Sequence, residues 1–99
     1  MIESFIEGRV RLRSPLLHDE ELARRLSEGL LAIGGVRRAQ VNRRTQGLLL
    51  EYDKDRLPLE RLAPALPIFD RINALERRPA DERRAALDAA LTDLRHLLG

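Results

Sequence analysis

The order in which two hydrophobic periodicities follow one another constrains the fold of this 99-residue chain most strongly. Alternation by two, typical of a half-buried strand, runs over residues 5–13 and returns over residues 48–52, after a less regular segment at 36–42. Between and after these segments, apolar residues recur every three to four positions, as in amphipathic helices. The pattern predicts strand, helix, strand, strand and helix, in a chain short enough for a single domain.

The first strand is predicted as one continuous segment over residues 5–13, which ends at Ser14-Pro15 because proline cannot donate to a ladder. Its two faces differ in character, with Ile6, Gly8, Val10 and Leu12 on one side and Arg9, Arg11 and Arg13 on the other. The helices of the domain are expected to cover the apolar side. Val41, Leu48 and Leu50 of the later strands are expected to point to the same covered side.

A helix is predicted over residues 19–33, with His18 or Asp19 as its cap and the Gly34-Gly35 pair at its end. In the segment 36–42 the apolar residues do not keep one parity, so we expect a β-bulge or a late strand start near Arg38. The turn residues 42–47 join this segment to the strand at 48–52 as an antiparallel hairpin.

The C-terminal third is predicted to be helical. A helix begins at Pro58 and bends at Pro64, and residues 67–75 fit helical spacing better than a fourth strand, although both interpretations stay open. The last helix, over residues 80–98, has an apolar side that includes Leu87, Leu91, Leu94 and Leu98. Two heptads are too few for an isolated coiled coil, so these leucines pack on the domain itself or form a homodimer, which we favour.

This order of elements is most of a split βαβ unit, so we predict an α+β fold, a ferredoxin-like βαββα(β) sandwich whose fourth strand is doubtful. The ferredoxin-like domain is expected over residues 1–66, with a helical extension over 67–99 that packs on it or on a second subunit. Without a fourth strand, the edge of the first strand is open, or the C-terminal helix or a second subunit covers it.

Composition excludes several classes of function. Because the chain has no cysteine, it has no disulfide, no zinc–thiolate site and no cysteine nucleophile. No apolar run has the length of a membrane helix, and no pattern of catalytic residues is present, so we expect a non-enzymatic cytoplasmic protein without a cofactor. Lys54 is the single lysine among 18 basic residues, which are balanced by 16 acidic ones.

A pattern of glycines and apolar positions resembles the heavy-metal-associated domains of copper chaperones and of metal-pumping ATPases. The residues that carry it are Gly8 to Arg13, Gly35-Val36, Val41-Asn42, Thr45, Gly47 and Leu48 to Asp53, so that it covers residues 4–66. Metal-binding members of that family hold soft ions with two cysteines in the loop after the first strand. The corresponding loop here, residues 14–18, has no thiol. The resemblance therefore implies the fold and a link to membrane metal transport, with a transporter as a candidate partner, but no soft-metal site.

Two groups of residues are candidate sites. His18 with Asp19 could hold a hard metal weakly, and the alternative is that these residues cap a helix or lie in solvent. The candidate partner- or anion-binding residues are Arg9, Arg11, Arg13, Arg38, Arg43 and Arg44. These arginines are solvated, or they bind an acidic surface of a partner or an acidic helix of the protein itself, or they bind the phosphates of nucleic acid or an anionic membrane. No aromatic residue alternates with them in the strands, which argues against base stacking.

Overall fold

The computed structural model describes residues 2–99 and contains one antiparallel sheet of four strands. The strands are β1 (Ile2–Ile6), β2 (Arg9–Arg13), β3 (Val36–Asn42) and β4 (Gly47–Tyr52), and their order in the sheet is β1-β2-β4-β3. The helices are α1 (Glu20–Leu31), α2 (Leu59–Leu62), α3 (Leu66–Asn73) and α4 (Ala80–Leu98). Single turns of 3-10 helix lie at Pro15–His18, Ala63–Ala65 and Ala74–Arg77.

The fourth strand comes from the N-terminus, so the prediction of one continuous strand over residues 5–13 is wrong. Glu7 and Gly8 form a two-residue turn, in which Gly8 has a φ of 92°, a conformation that favours glycine. The turn folds β1 back on β2, so that Ile6 pairs with Arg9 and Phe5 with Val10. β1 therefore occupies the edge that we expected to be open or covered by the C-terminal helix or a second subunit.

With β1 at that edge, the sheet has the α+β, ferredoxin-like arrangement predicted from the sequence, completed from the opposite end of the chain. The position beside β2 is the one that the last strand of a split βαβ unit fills. The sheet buries the expected side chains against the helices: Val10, Leu12, Leu48 and Leu50 are buried and Val41 is half-buried, joined by Ala39 and Tyr52.

Local signals explain the boundaries of the elements between β2 and α4. Asp19 caps α1, since its Oδ1 accepts a hydrogen bond from the amide of Leu22 at 3.1 Å. The expected bulge in β3 is confirmed, because the register with β4 shifts between Val36 and Arg38. Residues 66–77 are helical, as the spacing of apolar residues predicts, and Pro64 lies in the short turn that separates α2 from α3.

Helix α4 packs inside this single chain. Its four leucines that we considered for dimerisation, Leu87, Leu91, Leu94 and Leu98, are all buried in the core. At Gly29 the absence of a side chain lets α1 approach α4, since a Cβ there would lie 2.6 Å from Leu91 Cδ1. One cluster of buried side chains joins residues 1–66 to residues 67–99. Within residues 2–99, no helix is both long and apolar enough to cross a membrane.

The turn after β4 makes the stability depend on pH. Asp53 Oδ1 accepts a hydrogen bond from the amide of Asp55 at 2.9 Å, and this bond, with the nearby Arg37 and Arg56, lowers the pKa of Asp53. A carboxyl whose folded pKa is lowered contributes stability above its unfolded pKa of about 3.9 and loses it as the pH falls further. We therefore expect Asp53→Asn to destabilise the domain at pH 7 and the difference from the wild type to shrink as the pH falls below about 3.9 toward 2.5, as measured by urea unfolding. A difference that stays constant down to pH 2.5 would contradict this assignment.

Candidate functional site

The sheet surface that faces away from the helices carries a set of arginines, here called the arginine face: Arg9, Arg11 and Arg13 of β2, and Arg38 of β3. Alternation along β2 sends these side chains outward while Val10 and Leu12 enter the core. In the register of the sheet, Arg11 lies between Ser4 of β1 and Leu49 of β4, so no acidic residue is directly beside it.

Two carboxylates neutralise only part of the arginine face. Arg13 Nε lies 3.0 Å from Glu3, and Arg38 Nη1 lies 3.7 Å from Glu51. Glu51 is in register with both Arg9 and Arg38 but pairs with Arg38. Across residues 2–99, neither Arg9 nor Arg11 makes a salt bridge with a carboxylate. The arginine face therefore keeps two uncompensated guanidinium groups.

The two remaining candidate arginines lie in the β3–β4 turn, at one end of the sheet. Asn42 Oδ1 accepts hydrogen bonds from the amides of Arg44 and Thr45 at 3.1 and 3.3 Å, which orders this turn. Arg43 Nη1 lies 3.7 Å from Glu20 at the start of α1, whereas Arg44 is exposed. The structure thus groups four of the six predicted arginines on one face and places the other two at its margin.

A shallow polar depression lies on the arginine face at Gly47. Gly47 is in register between Arg13 on β2 and Asn42 on β3, and the missing side chain leaves a gap bordered by Arg11 and Gln40. Guanidinium and amide groups donate hydrogen bonds, and a planar guanidinium matches a carboxylate with two parallel bonds. Glu3 also lines the depression, where it pairs with Arg13, so Arg11 and Gln40 are the donors left for a carboxylate from outside. Sequence reasoning misses the depression because it depends on the register of β2 against β4.

Apolar side chains lie among the charges of this face, but aromatic ones do not. Ile6 is 70 % exposed, and Leu49 is half-buried in the centre of the sheet. Phe5, Tyr52 and Phe69 instead line a groove on the helix side. In the part of the chain that the structure describes, the arginine face therefore has no aromatic platform on which a base could stack.

Apart from Glu20, which contacts Arg43, the paired acidic residues of α1 and α4 contact arginines on the helical side of the molecule. Arg25 contacts Glu21 of its own helix at 3.3 Å and Asp88 of α4 at 3.0 Å. Hydrogen bonds from Arg25 and Arg84 lower the pKa of Glu21. These pairs link α1 to α4 on the side of the molecule opposite the arginine face. They leave that face without an internal acidic helix as a partner.

The loop after β2, where metal-binding relatives are expected to carry their thiols, is part of the core. Ser14 is buried and accepts a hydrogen bond from the amide of Leu16 at 3.2 Å, while Leu16 and Leu17 are buried as well. His18 is exposed, and Asp19 caps α1. Among residues 2–99, no cluster of three or more His, Asp or Glu side chains is arranged to hold a metal ion.

Comparison with known families agrees with this architecture. The family model described as heavy metal associated domain 2 matches residues 1–98, which include β1 and the helical segment after residue 66. Neither the curated proteins nor the solved structures contain a significant match. The extent of the family match and the ferredoxin-like sheet lead to the same conclusion. This chain belongs to the heavy metal associated domain 2 family.

Proposed function

We propose that this domain is a non-enzymatic interaction module that binds an acidic surface of a partner protein on its arginine face. The observation that carries the proposal is the pair Arg9 and Arg11, which are exposed and have no carboxylate partner within residues 2–99. The sheet backbone behind them is fixed by the core, so their anchoring points are held in place before the partner arrives. Preorganised groups lose less entropy on binding.

The mixed chemistry of the face favours a protein over a nucleic acid. Glu3 and Glu51 lie among the arginines, so the face is not a continuous basic groove of the kind that follows a nucleic-acid backbone. Ile6 and Leu49 add apolar surface between the charges. Protein interfaces combine arginine with apolar contacts in this way, whereas single-strand binders combine basic grooves with aromatic stacking.

Binding on this face is expected to follow from bidentate contacts with side-chain carboxylates. Arg11 and Gln40 border the depression at Gly47, where an aspartate or glutamate of the partner would lie. Long-range attraction between the positive face and an acidic partner speeds encounter, and salt weakens it. A cytoplasmic location and a metal transporter as the partner remain predictions from the sequence.

The hard-metal alternative at His18 and Asp19 has less support. Asp19 already accepts the hydrogen bond that caps α1, and binding a metal would compete with that role. His96, in the last turn of α4, is suited by its position to the negative end of the helix. No observation brings a second ligand to His18 within the described residues.

A charge-reversal experiment tests the arginine face. We expect Arg9→Glu combined with Arg11→Glu to weaken binding of a labelled poly-glutamate peptide at least about tenfold, equivalent to about 1.4 kcal/mol. The control is Arg77→Glu with Arg95→Glu, which changes the net charge equally at exposed helical positions. Fluorescence anisotropy at two salt concentrations measures the affinities, and circular dichroism checks that each variant folds.

Three results would contradict the proposal. Equal losses in the two double variants would mean that net charge alone drives binding. Tighter binding to polyuridylate RNA than to poly-glutamate, lost in Arg9→Glu/Arg11→Glu, would make the face a nucleic-acid site. Binding of Mn²⁺ that His18→Ala abolishes would favour the hard-metal alternative.

A further inference from the structure

Strand β1 exposes large apolar side chains on both of its faces. Ile2 and Phe5, on the helix side, are 43 % and 42 % exposed, and Ile6 is 70 % exposed on the side of the arginine face. Large exposed apolar side chains concentrated on one edge strand indicate a site of association. Ile6 also borders the arginine face, but the arginines on which the proposed function rests lie on β2 and β3 and not on this edge strand.

A groove beneath β1 continues this apolar surface toward the helices. It lies between the inner side of β1 and the helical layer, and its walls include Phe5, Leu12, Leu66, Phe69 and Leu98. Of the described residues that line the groove, none is charged. A charged surface is repelled by the same surface of a second copy. This groove has no charged lining residue among those described, so no such repulsion arises there.

The two edges of the sheet are protected to different degrees. At the β3 edge, the Ser27 hydroxyl donates a hydrogen bond to the carbonyl of Ala39 at 2.6 Å, and Arg37 and Arg38 project from the strand. Bound carbonyls and charged side chains are common ways to prevent edge pairing. β1 pairs only with β2. A bulge between Ile2 and Ser4 interrupts the first half of its outer edge, so the regular stretch that is free to pair is residues 4–6.

The hairpin geometry shows which residue of β1 has its backbone amide and carbonyl free at the outer edge of the sheet. In a two-residue hairpin, the residues that flank the turn bond to each other, here Ile6 and Arg9. Hydrogen-bonding direction alternates along a strand, so the backbone amide and carbonyl of Phe5 point away from β2, toward the free edge.

We propose that β1 pairs antiparallel with β1 of a second copy, with Phe5 on the two-fold axis, to give one continuous eight-stranded sheet. This register places Phe5 against the partner subunit's Phe5 on the helix side, as a cross-strand aromatic pair over the two apolar grooves. It also places Ile6 opposite Ser4 of the partner subunit on the other side. A shift by one residue would place Phe5, which points to the helix side, opposite a residue of the second copy that points to the side of the arginine face.

The register also has one unfavourable contact, which the structure already moderates. Glu7, in the turn that follows β1, comes near Glu3 of the partner subunit, which lies at the bulge, and like charges across a pair of strands repel. Glu3 is bound to Arg13 of its own chain at 3.0 Å, so much of its charge is neutralised before pairing. The arginine faces of the two copies would lie side by side on the same surface of the joined sheet.

Sedimentation equilibrium over a range of protein concentrations tests the dimer. We expect the wild type to show the mass of a dimer and Phe5→Arg to show that of a monomer, with unchanged circular dichroism. The control, Leu31→Arg, alters a similarly exposed apolar residue on α1 and should remain dimeric. A monomeric wild type, or a dimeric Phe5→Arg, would overturn the proposal.

A crosslinking variant tests the register itself. The chain has no cysteine, so Phe5→Cys introduces a single thiol. Hydrogen-bonded partners in antiparallel strands have Cα atoms about 5.5 Å apart, within the range that a disulfide spans. Mild oxidation should convert Phe5→Cys to a disulfide-linked dimer much faster than Leu31→Cys. Equal rates would contradict the pairing about Phe5.

Discussion

Leu94→Ala is expected to lower the free energy of unfolding by about 3 kcal/mol, within the range for a fully buried leucine that leaves a cavity. Leu94 is 0 % exposed and lies in the middle of the buried stripe of α4. The matched control is Leu97→Ala, since Leu97 lies three residues further along the helix and is 42 % exposed. Its loss should stay below about 1 kcal/mol, because less apolar area leaves water there on folding.

Urea unfolding at two protein concentrations distinguishes a core role of α4 from a role between subunits. If Leu94 packs inside one chain, the difference between Leu94→Ala and the wild type does not change with protein concentration. A difference that grows with concentration would place the leucine stripe between two copies. Equal losses in Leu94→Ala and Leu97→Ala would also contradict the packing of α4 described above.

Gly35→Ala is expected to cost about 2 kcal/mol or more, because it combines backbone strain with a steric clash. Gly35 has a φ of 98°, which L-residues rarely adopt. A Cβ at this position would lie 3.2 Å from two side-chain atoms of Leu57, and Leu57 is buried and has little room to move. The effect should appear as a lower urea midpoint without a change in the slope of the transition.

The neighbouring glycine provides a matched control for this prediction. At Gly34 no positive φ is required, and a new Cβ would meet only the end of the Arg56 side chain, at 2.9 Å from its Nη2. Arg56 is exposed, so its guanidinium can move aside. Gly34→Ala should therefore change the stability by less than about 0.5 kcal/mol. Similar losses at the two positions would show that the turn conformation at Gly35 is not the cause.

Helix α1 and the β3–β4 hairpin were predictable because their signals are local. Asp19, Gly35 and the break in alternation near Arg38 each act within a few residues of their position in the chain. The β1–β2 hairpin was not, since the turn at Glu7-Gly8 leaves the alternation of Ile6, Gly8, Val10 and Leu12 undisturbed. A two-residue turn reverses the chain and moves Ile6 to the other face of the sheet. It leaves the apolar residues at every second position of the sequence, so the alternation does not reveal the turn.

The candidate site also has a part that local sequence predicts and a part that only the three-dimensional structure decides. Alternation along β2 was enough to place Arg9, Arg11 and Arg13 on the open face. Which of them remains unpaired depends on where Glu3 and Glu51 lie across the sheet, and this is set by strand register. The leucines of α4 were ambiguous because the same spacing serves a core and a coiled coil. Only the packing of α4 against α1 distinguishes a core helix from a helix of a coiled coil.

We propose that the arginine face, and not the loop at His18, binds the partner. The most direct measurement is a titration of the ¹⁵N-labelled domain with poly-glutamate peptide, followed by NMR chemical shifts. We expect the largest shifts on β2 and β4, around Arg9, Arg11 and Gly47, and much smaller shifts in Arg9→Glu/Arg11→Glu. Shifts concentrated at residues 14–19 or along α4 would contradict it.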